Sequence, residues 1–444
     1  MLKTFSIGGV HPHEHKLSAH QPIVRAEIPT QAVIMLSQHI GAPAKPLVAK
    51  GDVVKVGTLI AEPAGFVSAA IHSSVSGTVS KIDTVVDASG YAKPAILINV
   101  EGDEWEPSID RTPTLVKECN LTSEEIIKKI AAAGIVGLGG ACFPTQVKLM
   151  PPPSFKAECI IINAVECEPY LTADHQLMLE HGEEIMAGVS ILMKAVKVNK
   201  AFIGIENNKP DAIQSMKKIA GGYAGIEVVA LKVRYPQGGE KQLIDAITAR
   251  QVASGALPIS TGAVVQNVAT AFAVYQAVQK NKPLVERVVT VTGKSLAHPS
   301  NLLARIGTPI GQLIVACGGL PEDTGKIIGG GPMMGKALIG QDVPTTKGSS
   351  GILMMNRKES RRGAVQPCIR CSKCVGACPM GLEPYLLSAL AEHGDFERME
   401  KERIMDCIEC GSCQFTCPAN RPLLDYCRLG KAKVGGLIRA RQAK

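Results

Sequence analysis

Two cysteine runs near the C-terminus constrain this chain more than any other feature. Cys368, Cys371, Cys374 and Cys378 lead into Pro379, and Cys407, Cys410, Cys413 and Cys417 lead into Pro418. The short spacers force the thiols of a run onto one loop, and soft thiolates in a C-x2-C-x2-C-x3-C-P run wrap the irons of a [4Fe-4S] cluster. A zinc ribbon needs only paired C-x2-C motifs and leaves the third cysteine and the proline of each run without a purpose. The other cysteines (Cys119, Cys142, Cys159, Cys167, Cys317, Cys427) are scattered without disulfide-like spacing. That pattern points to a reducing cytoplasm.

In bacterial two-cluster ferredoxins with this spacing, three thiolates of a run hold one cluster and the fourth crosses to the other. The expected ligand sets are therefore Cys368, Cys371, Cys374 and Cys417 for one cluster, and Cys407, Cys410, Cys413 and Cys378 for the other.

A chain of 444 residues predicts about three or four domains. Aromatic residues make up only 4% while glycines number 44, which suits an α/β protein with ligand loops lined by backbone. No apolar run approaches the roughly 18 residues of a membrane span. Met1 leads into Lys3 and Gly8-Gly9 without an apolar region, so secretion is not expected. The net charge of +8 is modest, but from Arg428 onward there are six Lys or Arg and no acid. Residues 428–444 thus read as a solvated, partly disordered basic tail, with a docking patch for a partner or an anionic lipid surface as the alternative. Lacking interleaved aromatics, the stretch does not read as a nucleic-acid site.

Residues 1–30 form an N-terminal arm. Its His11-Pro12-His13-Glu14-His15 could bring three imidazoles to one side of an extended segment, but Pro12 and Gly8-Gly9 favour a loop packed on later domains. Between 31 and 110, short apolar segments alternate with glycine turns, predicting a small barrel or sandwich. Lys50-Gly51-Asp52-Val53-Val54 and Ser76-Gly77-Thr78-Val79 resemble the lipoyl and biotinyl carrier fold. The turn that would present a modified lysine reads Glu62-Pro63-Ala64-Gly65-Phe66-Val67, so the resemblance implies an unmodified barrel-sandwich hybrid. Residues 120–282 alternate helix and strand: a capping box Thr122-x-x-Glu125, a strand at Cys159–Val165, a helix over Asp174–Val196, strands at Ala201–Ile205 and Ile226–Leu231, and a helix at Glu240–Ala249. This predicts a parallel sheet covered by helices, with ligands at its loop rim. A small α+β unit spans 283–345, residues 346–364 read as a flexible linker around Lys347-Gly348-Ser349-Ser350-Gly351, and the cluster domain covers 365–427 with a helical Pro384–Met405.

The second chemical signal is Gly137-Leu138-Gly139-Gly140-Ala141-Cys142-Phe143-Pro144-Thr145 with Lys148 beyond it. Glycines let backbone approach a phosphate or flat ring, and free amides beside a lysine favour an anion. No apolar strand immediately precedes this loop, so it does not match the Rossmann fingerprint. In order along the chain follow Asn163-Ala-Val-Glu166-Cys-Glu168-Pro169, Tyr235-Pro-Gln-Gly238-Gly239-Glu240 and Val265-Gln266-Asn267-Val268-Ala269-Thr270. Together these motifs resemble the NADH-binding flavoprotein subunit of respiratory complex I. Across nearly its full length, from Gly8-Gly9-Val10-His11-Pro12 onward, the chain resembles more closely the RnfC component of the Rnf electron transport complex, a membrane NAD:ferredoxin oxidoreductase.

That resemblance implies a multidomain α/β and α+β protein with four parts: a barrel-sandwich hybrid, a complex I flavoprotein-like α/β domain, a β-grasp (SLBB-like) unit and a two-cluster ferredoxin domain. It implies noncovalent FMN contacted by Gly137, Gly139, Lys148, Asn163, Glu166, Gly239, Glu240, Asn267 and Thr270, with NADH received by Gly140, Phe143 and Glu168. The chain departs from the complex I pattern at Leu138 (there Arg), Cys142 (Gly), Val165 (Asp) and Lys241 (Glu). No catalytic acid or base is required, because the cofactor carries the chemistry; Glu168 is the nearest candidate. The implied partners are NADH and the membrane and ferredoxin-like subunits of the complex, reached peripherally at the cytoplasmic face of the inner membrane. A soluble flavin and iron-sulfur cobalamin reductase of a microcompartment, or a non-catalytic cluster-bearing adapter, are the alternative readings.

Overall fold

The computed structural model describes residues 2–442. The arm supplies strand β1 (Ile23–Arg25), after which seven strands build two small sheets: β2 (Gln31–Met35), β3 (Lys45–Pro46), β4 (Val53–Val54), β5 (Leu59–Glu62), β6 (Ile71–His72), β7 (Gly77–Val86) and β8 (Ala92–Val100). One sheet runs β2-β8-β7-β4 and the other β3-β5-β6, with every pair antiparallel. Alternate residues Ala32, Ile34, Ile96 and Ile98 turn inward onto Ile60 and Ile71 and lose all contact with water. Phe66, in the turn where a carrier would show its lysine, is exposed.

Between residues 120 and 282 come α1 (Ser123–Ala132), α2 (Thr145–Lys148), β9 (Cys159–Asn163), α3 (Ala173–Glu180), α4 (Gly182–Ala195), β10 (Ala201–Glu206), α5 (Pro210–Ala220), β11 (Ile226–Leu231), α6 (Glu240–Thr248), β12 (Ala263–Asn267) and α7 (Val268–Gln279). The strands form a parallel sheet in the order β11-β10-β9-β12. Period-two alternation sends Ile160 and Ile162 into one core under α4 and α7, and Cys159 and Ile161 into a second core under α6. Burial on both faces explains why these strands read as unbroken apolar runs. The capping box closes as expected, with the Glu125 amide donating to Thr122 Oγ1 and the Thr122 amide donating to Glu125 Oε2. The single helix expected over Asp174–Val196 is two helices. It breaks at His181, beside Glu180, whose carboxylate accepts the Ile23 amide of the arm at 2.8 Å.

Next follow β13 (Glu286–Thr292), β14 (Ser300–Arg305), α8 (Ile310–Ala316), β15 (Thr324–Gly329), β16 (Lys336–Ala337) and β17 (Gly351–Asn356). They build a six-stranded sheet ordered β1-β14-β13-β17-β15-β16. This corrects the reading of 346–364 as a flexible linker. Strand β17 lies inside the sheet, parallel to β13 and antiparallel to β15, with Ile352, Leu353 and Met354 buried; the short helix α9 (Arg357–Ser360) follows it. Lys347 is equally buried, its ammonium donating to Ala70 O at 2.6 Å in the barrel and Gly134 O at 2.7 Å in the α/β domain.

No carboxylate among the described residues pairs with Lys347, and burial lowers its pKa to about 7. The folded protein therefore holds this proton less tightly than the unfolded chain, so Lys347 makes stability rise between about pH 7 and the ordinary lysine range. Denaturation midpoints at pH 7, 8 and 9 should climb more steeply for the native chain than for Lys347→Met. Parallel pH slopes would contradict this assignment.

The cluster domain contains α10 (Lys373–Ala377), α11 (Pro384–Glu392), α12 (Phe396–Lys401), α13 (Ser412–Phe415) and α14 (Leu423–Gln442). The helical stretch expected over Pro384–Met405 is interrupted at Gly394, whose φ is +71°. The basic tail is also corrected. Residues 428–442 continue α14, with Gly430, Val434 and Gly435 buried against the domain, whereas residues 443–444 lie outside the described residues. Three of its charges are engaged: Arg428 and Lys431 both reach Glu409 at 3.4 Å, and Arg441 pairs with Glu400.

The arm fastens these parts together. Val10 and Tyr235 exchange backbone hydrogen bonds of 2.8 and 2.9 Å, and the Gly9 amide donates to Ala377 O at 2.9 Å. Gly8, at φ +71°, passes so close that a Cβ would stand 2.5 Å from the Cys378 carbonyl carbon, and only glycine fits there. Of the arm histidines, His13 and His15 lie with ring centroids 5.7 Å apart, and His15 packs against Tyr170 at 5.1 Å.

Candidate functional site

The glycine loop crosses the C-terminal ends of β9 and β12, where an open parallel sheet leaves a crevice for ligands. The Gly137 amide donates to Phe143 O at 2.8 Å and the Cys142 amide to Gly137 O at 3.1 Å, closing the loop on itself. The Leu138 amide donates to Thr270 Oγ1 at 2.9 Å, which pins the loop to the first turn of α7. Gly139 and Gly140 stay exposed at the rim. Asn267 caps α7 by accepting the Ala269 amide at 2.9 Å, while its own amide donates to Asp174 Oδ2 at 2.7 Å. The N-terminus of a twelve-residue helix thus stands beside two exposed glycines, the geometry that favours an anion.

On the other side of the crevice, Lys148 Nζ lies 2.6 Å from Glu240 Oε1 and donates to Val265 O at 3.1 Å. Asn163 donates to Gly238 O at 2.8 Å, holding the turn that delivers Gly239 and Glu240. Gly139 approaches Asn267, whose amide also reaches Asn163 O; Asn163 holds Gly238 beside Gly239 and Glu240; Glu240 meets Lys148; and Thr270 anchors the loop that carries Gly137 and the exposed Gly140, with Phe143 half-buried inside that loop. Exposed amides, a helix N-terminus and a lysine at a sheet edge fit a flavin mononucleotide.

Glu166 and Glu168 take other posts. The Glu166 carboxylate accepts the Asp174 and His175 amides at 2.7 and 3.2 Å, capping α3. Glu168 accepts the Met333 and Met334 amides at 3.1 and 2.8 Å and so fastens the α/β domain to the β15–β16 loop. Burial raises the Glu168 pKa to about 7, against the lowering pull of those amides and of Tyr235. Asp174 is likewise raised to about 7 by burial and the neighbouring Glu166. Beneath this loop, Lys16 of the arm donates to the carbonyls of Glu166, Glu168 and Leu171 at 2.8, 2.9 and 2.7 Å. Sequence reasoning missed Lys16, Asp174 and Tyr235 as members of the site.

The second half of the site lies in the cluster domain. Cys378, from the first run, lines one cavity with Cys407, Cys410 and Cys413 of the second, under Pro379, Met380 and Ile408. No cysteine among the described residues forms a disulfide, and Cys374 of the first run has Cys417 of the second as a neighbour. Cys427 of α14 lines the cavity as a fifth thiol, and the four thiols of the two motif runs fit the corners of a [4Fe-4S] cube. Tyr235 connects this cavity to the crevice: its hydroxyl donates to Cys410 O at 2.8 Å and stands 3.3 Å from Glu168 Oε1.

Comparison with known proteins agrees with this division. Residues 3–103 match the RnfC barrel sandwich hybrid domain, 130–276 the Nuo51 FMN-binding domain, 288–337 the SLBB domain and 362–418 a 4Fe-4S dicluster domain. The chain is 47% identical to the RnfC-type subunit of the proton-translocating ferredoxin:NAD(+) oxidoreductase complex of Clostridium ljungdahlii, over 98% of this chain and 94% of that one. The chain belongs to the RnfC family. It is also 44% identical to the corresponding subunit of the Na(+)-translocating ferredoxin:NAD(+) oxidoreductase complex of Acetobacterium woodii, covering 96% of both chains. Identity to the corresponding subunit of the Rhodobacter capsulatus ion-translocating oxidoreductase complex is 42%, over 98% of this chain and 84% of that one. Among solved structures, an NAD+-reducing [NiFe]-hydrogenase shares the fold with a TM-score of 0.50 at 18% identity. That match covers 70% of this chain and 62% of the other. This RnfC protein therefore carries an FMN-binding domain and a dicluster domain on one chain.

Proposed function

We propose that this RnfC protein is the NAD(H)-facing subunit of an Rnf complex. FMN held by these residues would supply the link between the two-electron hydride chemistry of NAD(H) and the single-electron chemistry of [4Fe-4S] clusters, which alone could not accept a hydride. The residues divide the remaining work. The glycine loop and the α7 N-terminus receive the anionic part of the flavin nucleotide, Lys148 balances its charge, and Gly140 with Phe143 borders the nicotinamide side. Cys378, Cys407, Cys410 and Cys413 hold one cluster, and Cys368, Cys371, Cys374 and Cys417 hold the other. The observation that carries the reading is the Tyr235 hydroxyl bonded to Cys410 O, which ties the crevice to the cluster cavity as one packed unit.

No helix among the described residues is long and apolar enough to cross a membrane. Ion translocation is accordingly assigned to membrane subunits, to which this chain attaches peripherally at the cytoplasmic face, with ferredoxin-like subunits as electron partners. Identity to RnfC-type subunits over nearly the whole chain favours this reading over a microcompartment cobalamin reductase. The test is anaerobic absorbance of the purified chain before and after NADH, with iron and FMN assays in parallel. Flavin bleaching with about eight irons per chain is expected. Iron without any NADH response after FMN is resupplied would leave only a cluster-bearing adapter.

A further inference from the structure

Arg287 stands on β13 of the β-grasp sheet, yet its guanidinium points out of that domain into the back of the glycine loop. One terminal nitrogen donates to Leu138 O at 2.6 Å, the other donates to Lys347 O, and Nε is buried without a partner. Arg287 is only 7% exposed, and no carboxylate among the described residues forms an ion pair with it. Asp174 acts on the Arg287 charge only from a distance, and a buried guanidinium with no carboxylate in contact is costly.

The geometry of one peptide unit shows the use. In a planar trans peptide, the carbonyl of one residue and the amide of the next point in opposite directions. Arg287 holds the Leu138 carbonyl from behind, so the Gly139 amide faces forward to the exposed rim of the crevice. That amide makes no hydrogen bond among the described residues. Pulling on the carbonyl oxygen also polarises the shared peptide and strengthens its N–H as a donor. Beyond it lies Gly140, at φ +108° with nothing within 4 Å of a Cβ position, so the approach is open.

We infer that Arg287 is a positioning residue that aims the Gly139 amide at a phosphate oxygen of the bound nucleotide. This rests on reading the crevice as the nucleotide site. It also accounts for the departure at Leu138: the positive charge that the complex I pattern carries at that position reaches the loop here from behind, through the peptide.

The phosphate belongs either to FMN or to the pyrophosphate of NADH, and one set of titrations separates them. Arg287→Gln and Arg287→Lys are prepared in the full chain, with cluster absorbance as the check on folding. FMN and riboflavin are titrated into the deflavinated proteins, and NADH and reduced nicotinamide riboside into the flavin-loaded proteins. Arg287→Gln should weaken FMN roughly ten- to hundredfold and leave riboflavin unchanged if the FMN phosphate is the partner. The same loss for NADH but not for the riboside identifies the pyrophosphate. Arg287→Lys, which keeps one donor and the charge, should lose less and covers the case in which the Gln variant does not fold. Equal losses for FMN and riboflavin would mean a merely structural arginine and overturn the inference, as would unchanged affinity throughout. If the native chain binds neither FMN nor NADH, it is the reading of the site that fails.

Discussion

Cys378→Ser is expected to remove the cluster of the second cysteine run while leaving that of the first. Cys378 closes the first run in sequence, but its thiol lines the cavity of Cys407, Cys410 and Cys413, and the Leu382 amide donates to its sulfur at 3.4 Å. A lone serine hydroxyl is a poor replacement for a soft thiolate. Iron should therefore fall from about eight to about four per chain. The low-temperature paramagnetic resonance of the dithionite-reduced protein should simplify to one cluster, and Cys371→Ser should abolish that remaining signal in the double variant. Flavin bleaching by NADH should persist in Cys378→Ser, because the crevice residues come from other elements. A Cys378→Ser chain that keeps the second-run cluster and loses the first would show that the ligands do not cross.

Val434→Asp should destabilise the cluster domain by about 3 to 5 kcal/mol, the cost of leaving a buried charge uncompensated. Val434 is fully buried where α14 packs on Met399 and Leu387 within one apolar cluster. The neighbouring Lys433 is exposed, so Lys433→Asp should stay within about 0.5 kcal/mol of the native chain. Anaerobic denaturation followed at the cluster absorbance distinguishes the two. Were residues 428–442 a solvated tail, both substitutions would be equally silent.

Expectation and structure agree or part at particular residues. The capping box at Thr122 and Glu125 was legible because both its hydrogen bonds run between residues three apart, and the strand Ile226–Leu231 because its β-branched, apolar run marks a strand although its partner is β10. Strand β17 was not, since Gly348, Ser349, Ser350 and Gly351 carry the composition of a linker while the partners of Gly351–Asn356 lie on β13 and β15, far away in sequence. The C-terminal helix failed for a related reason. Its five basic residues suggest a solvated segment when counted, but Arg428, Lys431 and Arg441 meet Glu409 and Glu400 only after the domain has folded.

By itself the amino-acid sequence determined the chemistry this chain can host: thiolate spacing selects the clusters, and glycines followed by Lys148 select an anionic flat ligand. Both are local, because ligand identity and backbone freedom are properties of a few neighbouring residues. Tertiary structure alone decided how those parts work together. It placed Cys378 with the second run, set Tyr235 between crevice and cluster, brought Lys16 and Lys347 to buried carbonyls, and drove Arg287 behind Leu138. Each of these joins residues more than a hundred positions apart or from different domains, apart from the cysteine crossing within the cluster domain itself. Such contacts form only when packing of the apolar cores has already paid the entropy of bringing distant chain together.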